Sequence, residues 1–285
     1  MSKTARKVFT AAAIQMVSND QVDANLKIAA DLIAQAADAG ANLVVLPENF
    51  AFMGRYEGAV AGVAEMPDQT GPIQQFLASQ AARHTLVLVG GSVPLVNAGS
   101  DKIFASSLVY GPDGQCLARY DKLHLFDVQI GDHEGYKESA TFSAGGAVIT
   151  VDTPYAKLGL SICYDLRFPE LYRQLTQRGA DLLLVPSAFT ATTGAAHWSS
   201  LLRARAVENL SYVIAPNQGG VHASGRETYG HSMIIDPWGQ VLVCHTDSNT
   251  GVVMATIDLN EQQALRQRFP ALSHARLDKP DMTVE

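Results

Sequence analysis

The sequence predicts an α/β fold, a mixed sheet with helices on its outer faces. Three observations carry that expectation. Short apolar, β-branched runs recur along the 285 residues, helical patterns fall between several of them, and Gly/Pro turn sequences separate the remaining pairs.

Taken in order, Phe9 to Met16 is the first strand, and Val22 to Ala39 is a helix with Leu26, Ile33 and Ala37 on one face and Gly40 as its stop. Leu43 to Leu46 is a nearly continuous apolar strand, and the helix Ile73 to Arg83 leads into the strand Leu86 to Val89. Ser106 to Tyr110 runs into Gly111-Pro-Asp-Gly114, the turn chemistry of a hairpin. Val148 to Val151 and Leu158 to Ile162 are strands; the helix Phe168 to Arg178 follows, stopped by Gly179. The strand Leu182 to Val185, the helix Ala195 to Asn209 and the strand Tyr212 to Ala215 repeat the alternation. Ser232 to Ile235 turns back through Asp236-Pro-Trp-Gly239, and Val252 to Ile257 is the last strand. Strand–helix order in the two halves is loosely similar, and no composition break marks a boundary, so one domain over residues 1–285 is expected.

With 47% hydrophobic and 17% charged residues the chain can bury a large core. Its net charge of -7, without a basic cluster, speaks against nucleic acid or an anionic membrane as partner and favours a small-molecule substrate. The briefly basic start leads into a strand pattern without a signal-peptide core, and no apolar run reaches spanning length. Cys116, Cys163 and Cys244 are far apart and odd in number, which argues for reduced thiols and a cytoplasmic setting.

Cys163 stands where an apolar strand stops and a helix-like segment opens at Phe168-Pro169-Glu170. A side chain there projects into the crevice above a sheet, and the following amides favour developing negative charge. A lone thiol also reads as a small buried hydrophobe. Two more strand-end residues change the balance: Glu48, after Leu43-Val-Val-Leu-Pro47, and Lys122, in Tyr120-Asp-Lys-Leu-His124. Singly, these read as a cap and a surface lysine. Together with the thiol they form a set in which sulfur attacks a carbonyl, a carboxylate carries the proton, and a cation stabilises the oxyanion. Glu138 could orient Lys122 or the attacking water, or be an exposed loop acid. Arg167, four residues past Cys163, could fork onto a substrate carboxylate or form a structural ion pair. The helix around Arg203 and Arg205 reads as ordinary packing with ion pairs.

Metal, serine-hydrolase, nucleotide and dinucleotide signatures do not occur, so neither metal nor cofactor is expected. A Cys–His protease with His124, His197 or His231 as base stays conceivable, without its local signatures.

Leu46-Pro-Glu48, Asp121-Lys-Leu-His-Leu-Phe-Asp127, Cys163-Tyr-Asp-Leu-Arg-Phe-Pro-Glu-Leu171, Thr193-Gly-Ala-Ala-His-Trp198, Arg203-Ala-Arg-Ala-Val-Glu-Asn209 and Tyr229-Gly-His-Ser-Met-Ile-Ile-Asp-Pro-Trp-Gly239 are together highly specific. On these stretches the chain resembles the nitrilase superfamily, the carbon–nitrogen hydrolases with a Glu-Lys-Cys triad, over essentially its whole length. The resemblance implies a four-layer α-β-β-α sandwich, usually paired into a homodimer or larger homo-oligomer, with the segment from about residue 258 at subunit contacts. It implies Glu48 as general base, Lys122 as oxyanion-stabilising cation, Cys163 as nucleophile, Glu138 as the additional glutamate, and the Tyr164 amide in the oxyanion hole. The motifs are closest to the Nit1/Nit2 amidase branch, in which Arg167 and the Ala191-Thr-Thr-Gly194 loop, with Thr192 and Thr193, meet the substrate's acidic end. The Gln218–Arg226 loop departs in length and composition from animal Nit1 proteins. The implied activity is hydrolysis of a linear amide to acid and ammonia through a thioester. Deaminated glutathione is the expected substrate, 2-oxoglutaramate the alternative, a nitrile less so, and a silent scaffold of the same fold the non-enzyme reading.

Overall fold

The computed structural model describes residues 8–56, 58–130 and 135–276. Its first half runs β1 (Val8–Gln15), α1 (Val22–Asp38), β2 (Leu43–Val45), α2 (Pro72–His84), β3 (Val87–Val89), β4 (Val93–Val96), β5 (Ile103–Tyr110) and β6 (Cys116–Asp121), followed by a small hairpin of β7 (Asp127–Gln129) and β8 (Gly135–Lys137). The second half runs β9 (Thr150–Asp152), β10 (Lys157–Leu160), α3 (Pro169–Gln177), β11 (Leu182–Leu184), α4 (Ala191–Asn209) and β12 (Tyr212–Ala215). It continues through the hairpin β13 (Gly219–Val221) and β14 (Glu227–Tyr229), then β15 (Met233–Ile235), β16 (Val241–Cys244), β17 (Gly251–Asp258) and α5 (Leu259–Arg268).

Two sheets form, in the orders β17-β1-β2-β3-β5-β4, with β6 on β5, and β16-β15-β12-β11-β10-β9. The centre of each is a parallel trio. Ala12, Val44 and Leu88 are in register across β1, β2 and β3, as are Gly159, Leu183 and Val213 across β10, β11 and β12. Parallel neighbours need crossovers, which α1, α2, α3 and α4 supply. The similarity of order between the halves is thus one β-α-β-α-β unit used twice.

Alternation along the strands sorts the layers. Ala11, Ala13, Leu43, Val45, Val87 and Val89 enter the core shared with the second sheet, whereas Ala12, Ile14, Val44 and Leu88 pack against α1 and α2. On the far side α3 and α4 cover β10 and β12. The result is the four-layer α-β-β-α sandwich, and burial on both faces is why the central strands read as unbroken apolar runs.

Several boundaries differ from the sequence expectation. The face of α1 is centred on Asn25, Ala29, Ile33 and Ala36, with Leu26 and Ala37 at its flanks. Asn25 is buried because its side chain binds Asn19 and the Ala51 carbonyl, fixing the loop beyond Glu48. The α4 helix starts at Ala191, four residues before Ala195, because the Thr190 hydroxyl accepts the Thr193 N–H as an N-cap. The expected Ala191–Gly194 loop is therefore its first turn. The C-terminal α5 shows no apolar stripe: only Gln262 and Leu265 are buried, and Asp258 caps it. Of the segment expected at subunit contacts, residues 277–285 lie outside the described residues. Among the described residues no helix is long and apolar enough to cross a membrane.

Candidate active site

The parallel strands deliver their side chains to one end of the sandwich, as open α/β sheets do. Beyond β10, Cys163 opens a short 3₁₀ turn, Cys163–Arg167, that Pro169 then converts into α3. Its φ is 49°, the left-handed region that non-glycine residues seldom enter. The conformation is held from both sides. Cys163 N–H donates to the Pro186 carbonyl at 2.9 Å, and the buried Asp165 carboxylate accepts from the Ile162 N–H at 2.8 Å. Strain fixed in this way at a cavity wall is typical of reactive positions.

Glu48 follows β2 across Pro47. Its Oε2 accepts the Ala188 N–H at 2.8 Å, and its Oε1 accepts from Lys122 Nζ, also at 2.8 Å. Lys122, at the end of β6, is 2% exposed. Its main chain is pinned to Ala105 and Gly145, and its ammonium donates to both oxygens of Glu138 at 2.9 Å. Glu138 also accepts the Phe126 N–H at 2.6 Å. It is thus a hydrogen-bonded partner of the lysine, not an exposed loop acid.

The charges of these groups set one another. Burial works against the Lys122 ammonium, but Glu138 and Glu48 overcome it and hold its pKa well above the ordinary value. Burial likewise raises Glu48, yet Lys122 outweighs it and the net shift is downward, so this carboxylate is ionised at neutral pH. Glu138 moves the other way: burial, with the Glu48 charge, raises it against the pull of Lys122. Burial and then the Glu48 charge push the Cys163 thiol far above its usual range, so sulfur rests protonated beside a carboxylate.

Glu48, Lys122, Glu138 and Cys163 open into one cavity of about 450 Å³, walled by Phe126, Tyr136, Tyr164, Phe189, Thr193 and Arg226 among others. Tyr164 stands edge-on between Phe126 and Phe168. Thr193 reaches the cavity from the first turn of α4, while Thr192, its exposed neighbour, is not in the wall. Arg167 is not in the wall either: its Nη2 lies 3.2 Å from His197 Nδ1 and its guanidinium sits over Phe189. None of the three candidate histidines lines the cavity. His124 Nδ1 is 2.7 Å from Asp165, His197 meets Arg167, and His231 Nδ1 is 2.8 Å from the Tyr229 carbonyl.

Sequence reasoning did not single out three residues that build this site. Asp165 lies two residues past the thiol, inside a quoted motif, but its task depends on a partner in another strand. The Ala188 amide has no side-chain signal. Arg226 lies in the turn of a Gly-rich hairpin, just before β14, and reaches the wall from there, which spacing alone does not reveal.

The carbon-nitrogen hydrolase profile matches residues 10–267. The chain belongs to the carbon–nitrogen hydrolase family. Within this family it is 45% identical over 271 residues to a deaminated glutathione amidase of Synechocystis sp., covering 94% of this chain and 98% of that one. It is 39% identical over 274 residues to omega-amidase NIT2 of Mus musculus, covering 95% and 96% respectively. The crystal structure of Saccharomyces cerevisiae Nit3, a member of branch 10 of the nitrilase superfamily, superposes with a TM-score of 0.84 at 33% identity, covering 93% of this chain and 96% of that one. The chain is thus an amidase of the carbon–nitrogen hydrolase family with the nitrilase fold.

Proposed function

We propose that this amidase cleaves the amide of a carboxylate-bearing 2-oxo acid, deaminated glutathione first, through a thioester on Cys163. The observation that carries the reading is the Lys122 ammonium, 2.8 Å from Glu48 and 2.9 Å from Glu138, in the cavity that holds the thiol. As sulfur attacks the carbonyl carbon, Glu48 accepts the thiol proton, and Lys122 with the Tyr164 amide meets the oxyanion. Collapse breaks the carbon–nitrogen bond while Glu48 returns the proton to the leaving nitrogen. Water then gives a proton to Glu48 and attacks the thioester; the departing sulfur retakes that proton and the acid leaves.

One part of the sequence expectation changes on chemical grounds. Deaminated glutathione has no primary amide, so its hydrolysis releases an amine; ammonia leaves only from a substrate such as 2-oxoglutaramate. Product analysis by mass spectrometry with deaminated glutathione, 2-oxoglutaramate and a simple nitrile therefore tests the reading. The highest kcat/KM is expected for deaminated glutathione with amine release. A preference for 2-oxoglutaramate moves the chain to the omega-amidases, which the 39% identity to NIT2 favours next. Turnover of none of them, with Cys163 no more reactive than Cys116 toward iodoacetamide, leaves the scaffold reading.

A further inference from the structure

Arg226 is the one guanidinium, among the described residues, in the wall of the Cys163 cavity. It stands where the β13–β14 hairpin closes, with its guanidinium carbon 5.0 Å from the centre of the Tyr136 ring. Its Nη2 donates to the Ala188 carbonyl at 2.5 Å. Ala188 therefore joins two walls: its N–H holds Glu48, and the next carbonyl along the same residue holds Arg226. The cation lies close enough to help stabilise the ionised form of Glu48.

Among the described residues its hydrogen bonding is incomplete. A guanidinium carries five N–H donors, yet Nε is buried with no acceptor among the described residues, and none of their carboxylates forms an ion pair with it. A buried donor of this kind disfavours the empty state until an acceptor arrives. The acceptor that matches a planar fork is a carboxylate. Arg167 occupies a different place, beside His197 and over the Phe189 ring.

We propose that Arg226 is the specificity residue of this site, pairing with the carboxylate on the acyl portion of the substrate. This rests on the reading of the chain as an amidase for carboxylate-bearing 2-oxo acids and names the group that recognises that class. The site at rest holds two carboxylates against one ammonium. An incoming anion needs a further cation, and Arg226 supplies it at the wall without displacing Lys122 from its partners.

The test does not depend on turnover. Glutarate, a five-carbon dicarboxylate, and its neutral diamide are compared as protectants of Cys163 against iodoacetamide in the full chain. Glutarate is expected to protect the unmodified protein at lower concentration than the diamide. In Arg226→Gln that advantage should shrink about tenfold or more, in Arg226→Lys by less, and in Arg167→Gln it should persist. The unprotected labelling rate and the melting temperature of each variant report whether it has folded. Undiminished glutarate preference in folded Arg226→Gln, its loss in Arg167→Gln instead, or no preference in the unmodified protein overturns the proposal. Arg226-dependent protection without turnover of any 2-oxo acid amide leaves the anchor standing and removes the substrate reading.

Discussion

Asp165, two residues beyond the Cys163 thiol, accepts a 2.6 Å hydrogen bond from the Tyr120 hydroxyl, two residues before Lys122. The same carboxylate receives the Ile162 N–H at 2.8 Å, the His124 N–H at 3.0 Å and His124 Nδ1 at 2.7 Å. Four donors from two strand ends converge on one fully buried side chain. It is a joint that sets the Cys163 turn against the loop that follows Lys122.

Asp165→Asn tests that joint. Each oxygen already faces two donors, so either orientation of an amide sets its NH₂ against an N–H or O–H. The expected cost is about 1–3 kcal/mol in stability for the unsatisfied donors. Because Asp165 positions the turn without touching substrate, the iodoacetamide rate at Cys163 should fall along with kcat. Thermal unfolding and labelling measure both, and a variant that is less stable but labels at the original rate would show a purely structural role.

Cys163→Ala and Cys163→Ser should fold and show no covalent turnover. Alanine keeps the Cβ that makes φ 49° costly, and serine keeps the hydroxyl where sulfur was but needs a stronger base than an ionised Glu48. Cys163→Gly should be more stable than Cys163→Ala by about 1 kcal/mol, because glycine enters the left-handed region without steric cost. Denaturant midpoints rank the two, and the reverse order would mean that the turn carries no strain.

The pH profile should separate the two glutamates, which titrate as a coupled pair. Glu138 is raised, so as pH falls it takes a proton before an ordinary carboxylate would and its hold on Lys122 weakens; Glu48, lowered, stays ionised further into acid. The acid limb of kcat/KM should therefore begin with Glu138. Glu138→Gln removes that titration, and its weaker activity should persist to lower pH than that of the unmodified protein. An acid limb left in place by the substitution would assign it to Glu48 instead.

Much of this was readable beforehand, for reasons that particular residues make plain. Leu43 to Val45 and Leu182 to Leu184 are buried on both faces, so their sequence is uniformly apolar and their strand character unmistakable. Glu48 and Cys163 stand out because each follows such a run with an ionisable side chain. The β13–β14 hairpin is short and starts with two glycines, so no alternation marks it, and Arg226 stayed hidden with it. Arg167, four residues from the thiol, has its guanidinium over Phe189 and its Nη2 3.2 Å from His197 Nδ1.

Lys122 offers the sharpest separation of charge from chemistry. Lys122→Met leaves Glu48 and Glu138 buried without their cation, and breaking a buried pair in this way costs about 3–5 kcal/mol. Deprived of the ammonium, both carboxylates should protonate at higher pH in the folded chain than in the unfolded one. Each such raised group binds more protons when folded, so the deficit should shrink as pH falls toward the carboxylate range and grow as it rises. Lys122→Arg keeps the charge and should restore part of the stability, but a planar guanidinium cannot match three acceptors around one nitrogen, so turnover should remain low. Unfolding of both variants across pH, beside their kcat, checks the pair. A Lys122→Met deficit that does not vary with pH would mean that the two glutamates are not the groups its ammonium neutralises.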